Sequence, residues 1–164
     1  MASGQTLIVL TPQSGVPPVS NYATLDTRNG HTVWDFDAAV NEILNFESLM
    51  PRNYNGGGLT VTLVWSATTA TTGVSRWLVS FERHQEDVDD IDTDSFAAAQ
   101  AVNASAPATN GARAYDAVAF TDGAQIDSLA AGESFRLRIE RDATNAADTM
   151  LGDAELARIE IRET

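Results

Sequence analysis

Short segments of this chain alternate apolar and polar residues, and turn-forming residues interrupt them at close intervals. In the clearest segment, residues 135–141, the apolar Phe135, Leu137 and Ile139 alternate with charged residues. A period of two places successive side chains on opposite faces of a β-strand, one face buried and the other in water. Roughly eight such segments, separated by Gly, Asn, Asp or Pro, predict an all-β fold, an antiparallel β-sandwich resembling a jelly roll.

Two pairs of segments carry more specific predictions. Asn29-Gly30 separates two alternating segments and predicts a β-hairpin, because both residues tolerate the positive φ of a type I′ turn. Segments 59–66 and 76–83 each have one apolar face, and we expect them to form a hairpin at the centre of one sheet.

Two other segments are less strand-like. The apolar spacing over 42–50 fits a short helix as well as a strand. The alanine-rich segment 96–102 follows Asp94 and Ser95, either of which would cap a helix N-terminus. The sequence therefore predicts one short helical insertion in the sandwich.

The length of 164 residues fits one domain, and no linker divides it. We expect residues 1–19 to form an N-terminal arm or edge strand and residues 20–164 a single β-sandwich domain. Residues 1–4 lack a basic region, and the apolar run 7–10 is too short for a signal peptide or a membrane span. These features predict a chain that stays in the cytoplasm or leaves with a larger particle.

The charge is strongly acidic, with 23 acidic and 10 basic residues and a formal net charge of −13. Phosphate backbones and anionic membranes attract clustered positive charge, so direct binding to nucleic acid or to a membrane is disfavoured. The chain also has no cysteine, which excludes disulfides, thiolate metal sites and thiol nucleophiles.

The acidic run 86–94 is the first candidate for a metal site, because hard cations bind clustered carboxylates. Its spacing departs from a calcium loop, since Ser95 stands where the turn glycine belongs and Ala101 where the bidentate glutamate belongs. We expect a solvated loop. The two histidines, His31 and His84, would need carboxylate partners to hold a metal, and the sequence predicts no metal site.

No catalytic set is recognisable in the sequence. No nucleophile lies in a Gly-x-Ser-x-Gly context, and the glycines 56–58 lack the lysine of a phosphate-binding loop. Paired carboxylates for glycoside hydrolysis depend on spatial separation, and nothing in the sequence selects a pair. The prediction is a protein that is not an enzyme and has no cofactor.

The aromatic residues favour core packing over a sugar-binding platform. Trp34, Trp65 and Trp77 occupy strand positions whose neighbours on the same face are apolar. Tyr54, beside the glycine-rich turn, is the aromatic residue that we expect to be exposed.

Arginines mark the outer faces of the last two predicted strands. Arg136 and Arg138 share one such face, and Arg158, Glu160 and Arg162 share the other. If the strands are neighbours, these charges would interleave and stabilise the sheet slightly. Alternatively, the face would contact another subunit, since arginine is enriched at interfaces.

Five stretches are similar to small uncharacterised proteins of bacteriophage genomes, and the resemblance extends over most of the chain. They are Ala23-Thr-Leu-Asp-Thr-Arg-Asn-Gly-His31, Pro51-Arg-Asn-Tyr54, Gly56-Gly-Gly-Leu-Thr-Val-Thr-Leu63, Phe120-Thr-Asp-Gly-Ala124 and Asp127-Ser-Leu-Ala-Ala-Gly132. In size, strand pattern and acidity the chain also resembles the jelly-roll cement or decoration proteins of tailed-phage heads.

This resemblance implies a structural virion protein, assembled in the host cytoplasm. It would form dimers or trimers and stabilise the capsid by bridging major capsid proteins. Residues 3–19 would be a strand or arm donated to a neighbour. The residues expected at interfaces are Leu7, Ile8, Val9, Leu10, Arg52, Tyr54, Arg136, Arg138 and Arg158.

Two alternatives remain open, and both involve sugars. The first is a phage tail, fibre or spike component that binds a receptor glycan through its loops. The second is a carbohydrate-binding module, or a hydrolase that the sequence does not reveal. Fold alone does not decide among them.

Overall fold

The computed structural model describes residues 4–164, and these residues form two antiparallel β-sheets packed face to face. The predicted all-β, jelly-roll-like sandwich is confirmed. Sheet I has six strands. In order along the sheet they are β3 (Thr24–Arg28), β4 (His31–Phe36), β11 (Ala154–Glu163), β6 (Leu59–Ala67) and β9 (Ala114–Phe120), with β1 (Thr6–Leu10) on β11. Strands β1 and β4 pair with successive parts of β11.

Sheet II forms the other layer and has five strands. In order they are β2 (Gly15–Val16), β5 (Glu42–Leu49), β10 (Ser134–Arg141), β7 (Val74–His84) and β8 (Gln100–Ser105). The only helical elements in residues 4–164 are two short 3-10 turns, Pro12–Ser14 and Ala124–Ile126.

The local turn prediction is confirmed at the β3–β4 hairpin. Asn29 has φ of 47° and Gly30 has φ of 78°, as a type I′ turn requires, and Arg28 pairs with His31 across it. Residues 42–49 are a strand, which removes the helical alternative for that segment.

The predicted pairing of β6 with β7 is wrong, because β6 lies in sheet I and β7 in sheet II. Trp65 and Trp77 meet across the interior, with ring centroids 5.9 Å apart. Each strand does have one apolar face, but the two faces point at each other from opposite layers. Alternation identifies the buried face and leaves the neighbouring strand undetermined.

The predicted helix over 96–102 is also wrong. The Ala97 amide donates a hydrogen bond to the Phe81 carbonyl oxygen, and β8 then pairs with β7 at the edge of sheet II. Ala104 is fully buried, whereas Ala101 is exposed. Alanine suits either face of a strand, so the period of two was hidden in this segment.

The core confirms the assignment of the tryptophans. Trp65 and Trp77 are fully buried, and Trp34 is 6% exposed. Phe81 of sheet II packs edge-on against Phe120 of sheet I, with centroids 5.0 Å apart. Aromatic contacts across the two sheets therefore join the layers.

The N-terminal segment belongs to the sandwich of its own chain. Leu10 is buried, and the Trp34 Nε1–H donates to the Pro12 carbonyl oxygen at 2.7 Å. The predicted donation to a neighbouring subunit would require β1 to leave β11. Residues 1–3 of the predicted arm lie outside the described residues. No helix in residues 4–164 is long and apolar enough to cross a membrane.

Candidate functional site

An open groove of about 1100 Å³ lies on the outer face of sheet I. Strands β6 and β11 form its floor, and the β3–β4 hairpin, the N-terminal segment and β9 form its sides. The side chains that give it its chemistry are Arg28, His31, Thr62, Arg113, Tyr115, Arg158 and Glu160. We call this cavity the sheet I groove.

A β-bulge shapes the groove floor. Leu156 pairs with Trp65 and Arg158 pairs with Val64, so Ala157 is an extra residue in β11. Leu156 faces the core before the bulge, and Ile159 faces the core after it. The extra residue reverses the alternation of inward and outward side chains after the bulge, so Arg158 points outward.

Tyr115 and Arg158 lie on opposite sides of Val64 in one row across the floor. Because neighbouring strands are about 4.8 Å apart, the two backbones are roughly 10 Å apart. The Tyr115 side chain is 70% exposed. Arg158 is exposed and makes no hydrogen bond or ion pair with another described residue. The row therefore presents an aromatic ring and an uncommitted guanidinium to the same space.

A charged network closes one end of the groove. Arg28 forms an ion pair with the buried Glu155 at 2.7 Å and donates to the Ala67 carbonyl oxygen at 2.9 Å. Ser66 donates to the same carboxylate at 3.0 Å and accepts a hydrogen bond from Arg113 at 3.1 Å. Arg28 is thus committed to the structure, whereas the exposed Arg113 keeps further donors for a ligand.

Asp35 lies beside this network, paired with Glu155 across β4 and β11. Burial, followed by the nearby charges of Asp153 and Glu155, raises the pKa of Asp35 to about 7. Its Oδ1 is buried without a hydrogen-bond partner among the described residues. Asp35 therefore carries a carboxyl group with a raised pKa next to the Glu155 end of this network, outside the lining of the groove.

The residues predicted at interfaces are dispersed by the fold. Leu10 is in the core, and Leu7 and Ile8 pack against it. Val9, which is 54% exposed, lies opposite Glu160, so Val9 and Arg158 line the same groove.

The other predicted residues lie elsewhere. Arg52 is exposed outside the groove, and Arg136 and Arg138 lie on the outer face of sheet II beneath the Phe96 ring. Interleaving of charges between the last two strands required these strands to be neighbours, and that condition is not met, because β10 and β11 belong to different sheets.

The exposure predicted for Tyr54 is wrong as well, since this residue is 4% exposed. Its hydroxyl group donates to the Gly57 carbonyl oxygen and accepts from the Gly57 amide at 3.0 Å. The glycine-rich turn folds back over the ring instead of presenting it to water.

Sequence reasoning missed the exposed aromatic residue of the groove, Tyr115. In β9, Val118 and Phe120 face the core, so the alternation already puts Tyr115 on the opposite face. Arg28 and Arg113 were missed because the groove combines positions distant in sequence.

The two histidines have different surroundings. His31 lines the groove. His84 lies on the other side of the molecule, where its imidazole approaches Glu82 and Asp94. These three residues are the only group in residues 4–164 with the donor atoms and spacing for a metal ion.

No protein-family model matches the chain, and no curated protein does. Solved carbohydrate-binding modules have a similar fold. A family 35 module from Clostridium thermocellum has a TM-score of 0.58 at 10% identity, with 96% of this chain and 98% of that chain covered. A module of Cellvibrio mixtus lichenase 5A, solved with cellotriose, has a TM-score of 0.54 at 10% identity, with 98% and 99% covered.

The C-terminal CBM6 of LamC from Zobellia galactanivorans is comparably similar, with a TM-score of 0.54 at 11% identity. The similarity covers 97% of this chain and all of that one. At this level of identity the likeness shows a shared jelly-roll architecture over the whole length. A shared architecture does not determine what the groove binds.

Proposed function

We propose that this chain is a carbohydrate-binding module that holds a polysaccharide in the sheet I groove. The observation that carries the proposal is the row formed by exposed Tyr115 and uncommitted Arg158 across an open cavity of about 1100 Å³. The whole-length similarity to carbohydrate-binding modules, one of them solved with cellotriose, supports it.

The groove has the chemistry that a sugar needs. A pyranose ring has apolar C–H faces and a rim of hydroxyl groups, so it fits an aromatic surface flanked by hydrogen-bonding groups. Tyr115 supplies the aromatic surface, and Thr62, Asn110 and Glu160 add donors and acceptors along the groove.

Its arginines favour a polysaccharide that contains uronic acids. Arg113 and Arg158 are exposed in the groove, and Glu160 is the only acidic side chain lining it among residues 4–164. Guanidinium groups bind carboxylates with two parallel hydrogen bonds. The formal net charge of −13 opposes an anionic ligand at long range, so this preference depends on the local contacts of Arg113 and Arg158.

The function we propose is binding without catalysis. Glycoside hydrolysis ordinarily needs two carboxyl groups on either side of the scissile bond. Glu160 has no second acidic residue beside it in the lining of the groove described by residues 4–164. Its carboxylate instead accepts a hydrogen bond from the Thr6 hydroxyl.

The experiment is isothermal titration calorimetry of the full chain with two ligand sets. One set contains neutral cello- and xylo-oligosaccharides, and the other contains oligogalacturonates of the same lengths. We expect saturable binding, tighter for the oligogalacturonates. Absence of binding to both sets at millimolar concentration would contradict the proposal, and equal affinity would remove the preference for uronic acids.

The predicted virion role stays a prediction, as do the dimer or trimer and the capsid partner. Of the virion roles considered, receptor binding by a fibre or spike is the one that would use a glycan groove. Capsid decoration would leave Tyr115 and Arg158 without a function of this kind.

A further inference from the structure

Three polar atoms converge under the acidic loop on the outer face of sheet II. They are Glu82 Oε1, His84 Nε2 and Asp94 Oδ2, and the three residues each place one possible ligand atom within 4.8 Å of those of the other two. Each is buried and has no hydrogen-bond partner among residues 4–164. Buried polar atoms are nearly always paired, so three unpaired atoms facing one point require an explanation.

The rest of each carboxyl group is already held. Arg136 binds Glu82 Oε2 through Nε at 2.6 Å and a terminal nitrogen at 2.5 Å. The Ser95 amide donates to Asp94 Oδ1 at 2.8 Å. In both side chains one oxygen is fixed by the protein and the other is left facing the cluster. Such support from neighbouring groups is typical of metal ligands.

Direct pairing among the three residues does not satisfy these atoms. His84 Nε2 is 3.7 Å from Glu82 Oε1, which is too long for a hydrogen bond. Ligand atoms around a tetrahedral zinc ion are roughly 3.4 Å apart, given bonds of about 2.1 Å. The observed separation is close to that between two ligands of one ion.

We propose that Glu82, His84 and Asp94 bind one divalent transition-metal ion of the zinc class. An imidazole with two carboxylates suits zinc, whereas calcium prefers ligands that are all oxygen. The Glu82 side chain is fully buried, and a divalent cation would compensate its charge together with that of Asp94.

The ion would fasten the acidic loop, residues 85–95, to β7. Glu82 and His84 are on that strand, and Asp94 is near the far end of the loop. At the start of the loop, the Gln85 amide donates a hydrogen bond to the Asp89 carboxylate at 2.7 Å. Directly after the loop, the Phe96 ring covers the Arg138 guanidinium, with the ring centroid 3.9 Å from Cζ. This proposal is independent of the sheet I groove, which lies on the other sheet.

The test is calorimetric titration of the chelator-treated full chain with zinc chloride. We expect one zinc ion per chain and an affinity that falls at least about tenfold in His84→Ala and in Asp94→Asn. His31→Ala is the matched control, because it removes the other histidine and should leave zinc binding unchanged. Asp94→Asn alters only a loop residue, so it remains informative if His84→Ala fails to fold.

Hydrogen exchange supplies a second measurement. Zinc should slow amide exchange across residues 86–95 in the wild-type chain and have no such effect in Asp94→Asn. The proposal would be overturned by the absence of saturable zinc binding, or by binding that persists in His84→Ala and Asp94→Asn. Calcium binding at the same site with equal affinity would overturn the assignment to the zinc class.

Discussion

Arg141 and Asp148 form a two-pronged ion pair inside the protein, with the Arg141 Nε and a terminal nitrogen each 3.0 Å from a carboxylate oxygen. The side chains are 0% and 1% exposed. The same guanidinium donates to three carbonyl oxygens, those of Phe36, Met150 and Gly152. Arg141 therefore fastens the loop before β11 to the ends of β4 and β10.

Replacing Arg141 should destabilise the fold strongly. Arg141→Met leaves the Asp148 carboxylate and three carbonyl groups without their donor, and breaking a buried pair in this way costs about 3–5 kcal/mol. Urea unfolding measures the loss. Arg52→Met is the control at an exposed site and should change the free energy of unfolding by less than about 0.5 kcal/mol. A loss in Arg141→Met as small as that of the control would contradict the structural role.

Stability should fall as pH rises from about 4 to about 7, because of Asp35. Its pKa is raised from 3.8 to about 7, mainly by burial, so the folded chain binds a proton that the unfolded chain releases. Burial also raises the pKa of Glu42, which adds to the effect in the same direction.

The check on Asp35 is urea unfolding at about pH 5 and about pH 8. Asp35→Asn should reduce the loss of stability between the two conditions. Asp92→Asn, in the exposed acidic loop, should retain the wild-type difference. Equal pH dependence in wild type and Asp35→Asn would show that other groups cause it.

Tyr115→Ala should weaken oligosaccharide binding at least about fivefold, since the exposed ring is the aromatic surface of the groove. Thermal unfolding should change little, because the side chain is 70% exposed. Tyr22→Ala is the control, with an exposed tyrosine outside the groove. Full binding by Tyr115→Ala, measured by calorimetry, would place the ligand elsewhere.

Arg158→Glu should selectively reduce binding of oligogalacturonates. The change places a carboxylate where a free guanidinium now faces the groove, and like charges repel. Neutral oligosaccharides should lose less affinity. Arg52→Glu makes the same change in net charge outside the groove, so calorimetry of both variants separates the local effect from that of total charge.

Much of the architecture could be predicted from local sequence. Asn29-Gly30 predicted its hairpin because the positive φ values are a property of those two residues. Phe135, Leu137 and Ile139 predicted a buried strand face because their period is two. Both predictions depend only on interactions within a few residues.

The pairing of strands and the composition of the groove depend on the whole fold. The alternation in β10 identifies its buried face but leaves open whether β11 or β7 is its neighbour. Likewise, nothing local places Tyr115 in one row with Arg158 or closes a glycine turn over Tyr54. The Ala157 bulge is equally hidden, because it matters only once β6 is paired with β11.

The central position of β11 has a consequence for how the protein is made. It pairs with β1, β4 and β6, so sheet I stays in separate pieces until residue 163 has left the ribosome. Folding of this layer must therefore follow translation of β11. A message interrupted after Arg141 would yield a polypeptide with exposed apolar strand edges, a substrate for chaperones and proteases.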